Sequence, residues 1–101
     1  MAGEGTAVGT VLIENDRVRV TEWSFSKEGD NTGWHRHEYD YLVVPLFDGQ
    51  LRIEGPDGEV TLADMQNGVP YFRKLGVEHD VISANPFPCR FIELELLAES
   101  R

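Results

Sequence analysis

Gly33-Trp34-His35-Arg36-His37-Glu38-Tyr39-Asp40-Tyr41 holds two of the chain's three histidines, at positions i and i+2. Such positions share one face of an extended strand. If 34–37 is extended, the two imidazoles converge. The third histidine follows a glycine turn in Leu75-Gly76-Val77-Glu78-His79, where a later strand could carry it to the same point. Imidazole is the commonest protein ligand of transition metals. Three on one side of an ion leave positions open for water or substrate, as catalytic rather than structural sites do. The competing reading is two exposed strand histidines and one loop histidine that never meet. His-x-His alone is a weak signal; a third histidine behind a turn sharpens it.

Outward from this stretch the chain reads as short apolar runs separated by turn residues. Val8 to Ile13 is the first. Arg17 to Phe25 alternates, with Val18 and Val20 on one face and Arg17, Arg19 and Thr21 on the other, the period of a half-buried strand. Lys27 to Gly33 is a loop, followed by extended segments at Trp34–His37 and Tyr41–Phe47. Asp48-Gly49 between apolar runs is a hairpin signal. Gln50–Glu54, Glu59–Leu62, Val69–Arg73 and Asp80–Ser83 read as further strands, with turns at 55–58 and 74–78 and a loop at 64–68. Cys89 to Leu97 closes the chain. It sets Ile92, Leu94 and Leu96 on one face and Phe91, Glu93 and Glu95 on the other; Glu93 and Glu95 are expected to be solvated opposite the wholly apolar face, the alternative being that they turn into the barrel as a base or as partners of the ligands. Pro45 within a run calls for a bulge, strand end or edge. No stretch of ten residues has helical apolar spacing. About eight to ten short strands indicate an all-β sandwich or barrel.

The 101 residues make one domain, expected over 8–98, behind a Gly/Ala-rich tail over 1–7 expected to be disordered. A formal net charge of −9, without a basic cluster, argues against nucleic acid or an anionic membrane as partner. The single cysteine, Cys89, excludes an intrachain disulfide. The N-terminal residues lack the pattern of a secretory signal, and no apolar run approaches the ~20 residues of a membrane span. The expectation is a cytoplasmic protein. There is no dinucleotide fingerprint, Walker loop or nucleophile elbow.

The chain resembles a small single-domain cupin over roughly residues 11–97. Gly33, His35, His37 and Gly49 follow that family's first motif, with Gly33 closer to the first histidine than usual. Gly68, Gly76 and His79 fall at the spacing of the second, with Lys74 and Ser83 where Pro and Asn are customary. The 33–41 and 72–80 stretches are similar to small cupins of the β-alanine degradation (BauB) type, a pathway association rather than a reaction. The resemblance implies a double-stranded β-helix, or jelly roll. It implies one divalent transition metal (Fe, Mn, Zn, Ni or Cu) on His35, His37 and His79. In that family a glutamate commonly follows His-x-His three or four positions on; here those positions hold Asp40 and Tyr41. Asp40 is therefore an uncertain fourth ligand, with Tyr41 the alternative, although a phenol pKa near 10 opposes ligation by Tyr41.

Tyr71 and Arg73 share one strand face, and an inward Arg73 could grip a substrate carboxylate; the plainer reading is a surface arginine beside Lys74. Two functions fit. One is a metal-dependent enzyme acting on a small carboxylic acid, with dioxygenase, isomerase, lyase and hydrolase chemistry all open. The other is a non-catalytic metal- or small-molecule-binding module or accessory protein. Covering exposed sheet and edges favours a homodimer.

Overall fold

A computed structural model describes residues 5–97. Among the described residues nine antiparallel strands form two sheets. The five-stranded sheet has the order β1 (Val8–Glu14), β2 (Val18–Phe25), β9 (Cys89–Leu96), β4 (Tyr41–Pro45), β7 (Tyr71–Arg73). The four-stranded sheet has the order β3 (His35–Arg36), β8 (Glu78–Ser83), β5 (Gly49–Glu54), β6 (Val60–Met65). Among the described residues the only helix is a 3-10 turn at Pro56–Gly58, and none is long and apolar enough to cross a membrane. The all-β double-stranded β-helix expected from the resemblance is what the chain forms.

The inner face of the larger sheet is graded along its strands. Paired residues of antiparallel strands lie side by side on one face, so the register defines transverse rows. One row pairs Phe25 with Cys89; the next joins Trp23, Phe91 and Pro45. These anchor an apolar end, where Phe25 is fully buried and its ring lies 5.7 Å from that of Phe91. Phe47, Leu51 and Met65 close it. The following rows turn polar: Thr21, Glu93, Val43 and Tyr71, then Arg19, Glu95, Tyr41 and Arg73.

This grading reverses the expectation for β9. Its buried residues are Cys89, Phe91, Glu93 and Glu95, while Leu96 is exposed and Ile92 and Leu94 are half-buried on the outer face. The phase is set by aromatic bulk: Phe25, Trp23 and Phe91 must fill the space between sheets. A strand's period of two then carries Glu93 and Glu95 inside with Phe91. Val18 and Val20, in phase with Leu94 and Leu96, face outward.

Other differences are local. Asp48-Gly49 does not make a hairpin between its flanking strands. β4 pairs with β9 and β7, and β5 with β6 and β8, so the turn passes between sheets. Asp48 accepts a hydrogen bond from the Asn67 N–H (3.0 Å), which docks it there. β6 runs to Met65, into the first two residues of the segment expected to be loop, and β8 begins at Glu78, placing His79 within a strand. Pro45 ends β4. Asn85 continues the edge pattern with its side chain, accepting from Gln50 N (2.9 Å) and donating to Gln50 O (2.8 Å). Of the segment expected to be a tail, residues 1–4 lie outside the described residues. Ala7 N donates to Asn31 O (2.8 Å), and Gly5 approaches the Asn31–Gly33 backbone too closely for a Cβ. Residue 98 also lies outside the described residues.

Candidate metal centre and cavity

β3 and β8 pair with His35 directly opposite His79, and His37 lies just beyond β3. The turn before β8 is stitched to this stretch. His37 N donates to Val77 O (2.9 Å) and Gly76 N to His37 O (2.8 Å). Gly76 sits at φ 97°, a conformation L side chains avoid. Asp40 completes the turn, accepting from Leu75 N (2.9 Å). Its carboxylate caps this turn and does not join the imidazole cluster. Replacing Asp40 with Ala is expected to cost about 1 kcal/mol, read by urea denaturation of the metal-free chain, with metal stoichiometry unchanged. A loss of stoichiometry would make Asp40 a ligand after all.

The three imidazoles meet. His37 Nε2 lies 3.0 Å from His35 Nε2 and 3.1 Å from His79 Nε2. At His35, Nδ1 lies 2.8 Å from the Gly33 carbonyl, which can only accept, so Nδ1 carries the proton and Nε2 presents its lone pair to the cluster. Gly33, at φ 93°, aims that carbonyl. Its own N–H is held by Asp80 (3.0 Å), which also accepts from Asn31 (2.8 Å). Nitrogen ligands at right angles about one ion, each about 2.1 Å from it, stand about 3.0 Å apart. The two observed separations fit that spacing, and the donor set suits zinc, iron, copper or nickel.

Burial, reinforced by the neighbouring imidazoles, lowers His37 to about 3; burial and His35 lower His79 to about 4. Both rings are neutral near pH 7, the form that binds metal. Glu93, expected to be solvated with an inward role the alternative, is pushed up to about 7 by burial and the adjacent Glu95, against opposing effects of Trp23 and Arg19. Its Oε1 lies 3.9 Å from His37 Nε2. Glu95 is held bidentately by Arg19 (2.8 and 3.1 Å). Ligand atoms of His37, Glu93 and Glu95 also fall within 4.8 Å of one another, but the Arg19 fork already occupies both Glu95 oxygens.

These shifts set a pH dependence for the metal-free chain. Below about pH 6.5 the unfolded chain protonates both histidines while the folded state keeps them neutral, so stability falls as pH drops. Glu93 acts oppositely: between about 7 and 4.5 the folded state holds the extra proton, so its contribution rises as pH drops. Two protons against one leave a net loss of about 1.4 kcal/mol per pH unit between about pH 6 and 5. Urea denaturation across that range measures it; constant or rising stability on acidification would contradict it.

Tyr41 stacks on His37 (centroids 3.8 Å, 15° between planes), and burial raises its phenol further. It packs the ligand ring and is a poor phenolate donor. Tyr71 and Arg73 face a cavity of about 260 Å³ that also reaches His37, His79 and Glu93. The Arg73 guanidinium lies 4.6 Å over the Tyr71 ring and donates to the Phe72 carbonyl (3.0 Å). Phase with Phe91 on β9 was the one sequence signal that pointed to Glu93.

Fold, histidine cluster and sequence similarity agree: the chain belongs to the cupins. It is 49% identical over 96 residues to the Beta-alanine degradation protein BauB of Pseudomonas aeruginosa, covering 95% of this chain and 99% of that one. A cupin domain from Bordetella pertussis Tohama I superposes with TM-score 0.87 at 45% identity, covering 95% of this chain and 98% of that one. A double-stranded β-helix protein from Klebsiella pneumoniae shares the fold (TM-score 0.73, 20% identity, 98% and 82% covered). No family model matches the chain.

Proposed function

We propose that this cupin binds one divalent transition metal on His35, His37 and His79, and acts as a metal-dependent enzyme on a small carboxylic acid. The observation that carries the reading is the convergence of the three Nε2 atoms, two pairs 3.0 and 3.1 Å apart. With Nδ1 of His35 donating to the Gly33 carbonyl, its Nε2 lone pair turns toward the other two rings, and the three Nε2 atoms surround one point that an ion can occupy. When bound, the metal supplies Lewis acidity or dioxygen activation. The chain's own residues do the rest. Arg73 orients the substrate carboxylate, Tyr71 holds Arg73 in place by its ring face, and Val43, Ile53, Val81 and Phe91 exclude water. The name of the Pseudomonas relative supports a link to β-alanine or related catabolism, and a cytoplasmic setting suits such a role. Metal analysis of protein purified without a histidine tag tests the proposal. About one equivalent per chain is expected; less than about a tenth, unchanged after offering Fe, Mn, Zn, Ni and Cu, would defeat it. Metal bound without turnover of any small acid would instead favour a non-catalytic binding module.

The partner we propose is a second copy. The outer face of the large sheet carries Val18, Val20, Leu42, Leu94 and Leu96, and edge strand β1 exposes Val8, Val11, Leu12 and Ile13, each more than half exposed. Contiguous apolar surface on an open sheet edge calls for cover. Light scattering at micromolar concentration should give twice the chain mass; a monomer would contradict it.

A further inference from the structure

The cavity contains a buried carboxyl group that no basic side chain pairs with; its nearest ring nitrogen is His37 Nε2, at 3.9 Å. Glu93 is 9% exposed. Among the described residues no lysine or arginine lies within ion-pair distance of it. Arg19, which shares its end of the sheet, is committed to Glu95 and to Glu14 (3.3 Å). A buried carboxylate without a counter-charge is costly. On the same wall stands an exposed cation, Arg73. Arg73 donates to a backbone carbonyl and stacks on Tyr71, and no described carboxylate lies within ion-pair distance of it.

Register fixes the separation of these two groups. Glu93 and Tyr71 flank Val43 in one inner row; Arg73 is beside Tyr41 in the next. Two strand spacings and one pleat repeat put the Glu93 and Arg73 Cα atoms about 12 Å apart. Both side chains line the one cavity, so a short molecule lying in it can meet both. Tyr71 lies between them and feels both charges.

We propose that the cavity takes a small zwitterion, its cationic nitrogen against Glu93 and its carboxylate against Arg73, alongside His37 and His79. This rests on the cavity being the substrate site of the function proposed above, and narrows its substrate from acids in general to amino acids. A dicarboxylate or a keto acid would set negative charge or a neutral oxygen against Glu93 and lose that contact.

Calorimetric titration of the full chain, metal-loaded and metal-free, tests it. The probes are glycine, β-alanine and γ-aminobutyrate, the length-matched acetate, propionate and butyrate, and malonate. At least one amino acid should bind at least about tenfold tighter than its matched monoacid and than malonate. Glu93→Gln should abolish that preference while metal per chain stays unchanged. Arg73→Gln should weaken amino acids and monoacids alike by at least about tenfold. Monoacids or malonate binding as tightly as every amino acid would overturn the proposal, as would no binding by any probe. So would a Glu93→Gln variant that loses metal but keeps the ligand ranking, which would give Glu93 to the metal. If the wild-type chain holds no metal, the metal reading fails separately, and the ranking on the metal-free protein decides this one.

Discussion

His79→Ala is expected to weaken metal binding by at least about 100-fold and leave the fold in place. Removing a partner that only orients a ligand costs about 10–100-fold; removing one of three ligands costs more. His79 is central to the cluster's construction: it sits opposite His35 on β8, and its Nε2 lies 3.1 Å from that of His37. The remaining pair, His35 and His37, stand close together in the chain and define only one edge of the site. The consequence is also visible as stability. Metal at about 1,000 times its Kd stabilises the native state by about 4 kcal/mol, and a 100-fold weaker site leaves about 1.4 kcal/mol. Equilibrium dialysis with metal analysis reads the affinity, and denaturation with and without metal reads the linkage. Full occupancy in the variant would show that the imidazole cluster is not the binding site.

Phe25→Ala is expected to destabilise the metal-free chain by about 3–5 kcal/mol. The ring is fully buried at the apolar end of the inner face and tilts 35° against Phe91 at 5.7 Å. Its neighbours belong to two sheets and cannot close in around the vacancy without breaking strand pairing. For a domain of ordinary stability, about 5–15 kcal/mol, this removes a large part of the total. The histidines stand on the other sheet, on and just beyond β3 and on β8, so the fraction that remains folded should still bind metal with unchanged affinity. Chemical denaturation measures the first effect and metal titration under native conditions the second. A loss under about 1 kcal/mol would mean that the apolar end is not the core.

Much of the fold was legible because strand signals are local. Alternation in 17–25 and 89–97, and the turn residues at 55–58 and 74–78, mark elements without reference to the rest of the chain. The errors arose where a decision depends on partners distant in sequence. Asp48-Gly49 has the chemistry of a hairpin, but each strand it joins has both flanks taken by other strands. In β9 the face with three aliphatic residues looked like the inner one. Packing of Phe91 between the sheets, against Phe25, chose the other phase. A one-residue choice of phase moves every side chain to the opposite face, so this single decision brought Glu93 and Glu95 into the barrel.

The candidate site divides the same way. His35 and His37 share a side because of their i and i+2 spacing, a property of the local backbone. That His79 joins them depends on β3 pairing with β8 in one register. Whether Asp40 reaches the cluster depended on the Leu75 N–H, which takes its carboxylate first.

The sequence by itself determined the all-β class, the turns and the pairing of two imidazoles, since these follow from side-chain period and turn chemistry within a few residues. Only the tertiary structure decided which face of β9 is buried, that Arg19 binds Glu95, and that Glu93 and Arg73 line one cavity with His37 and His79. Those outcomes come from strand register and from competition for space between two sheets, which no short stretch of chain contains.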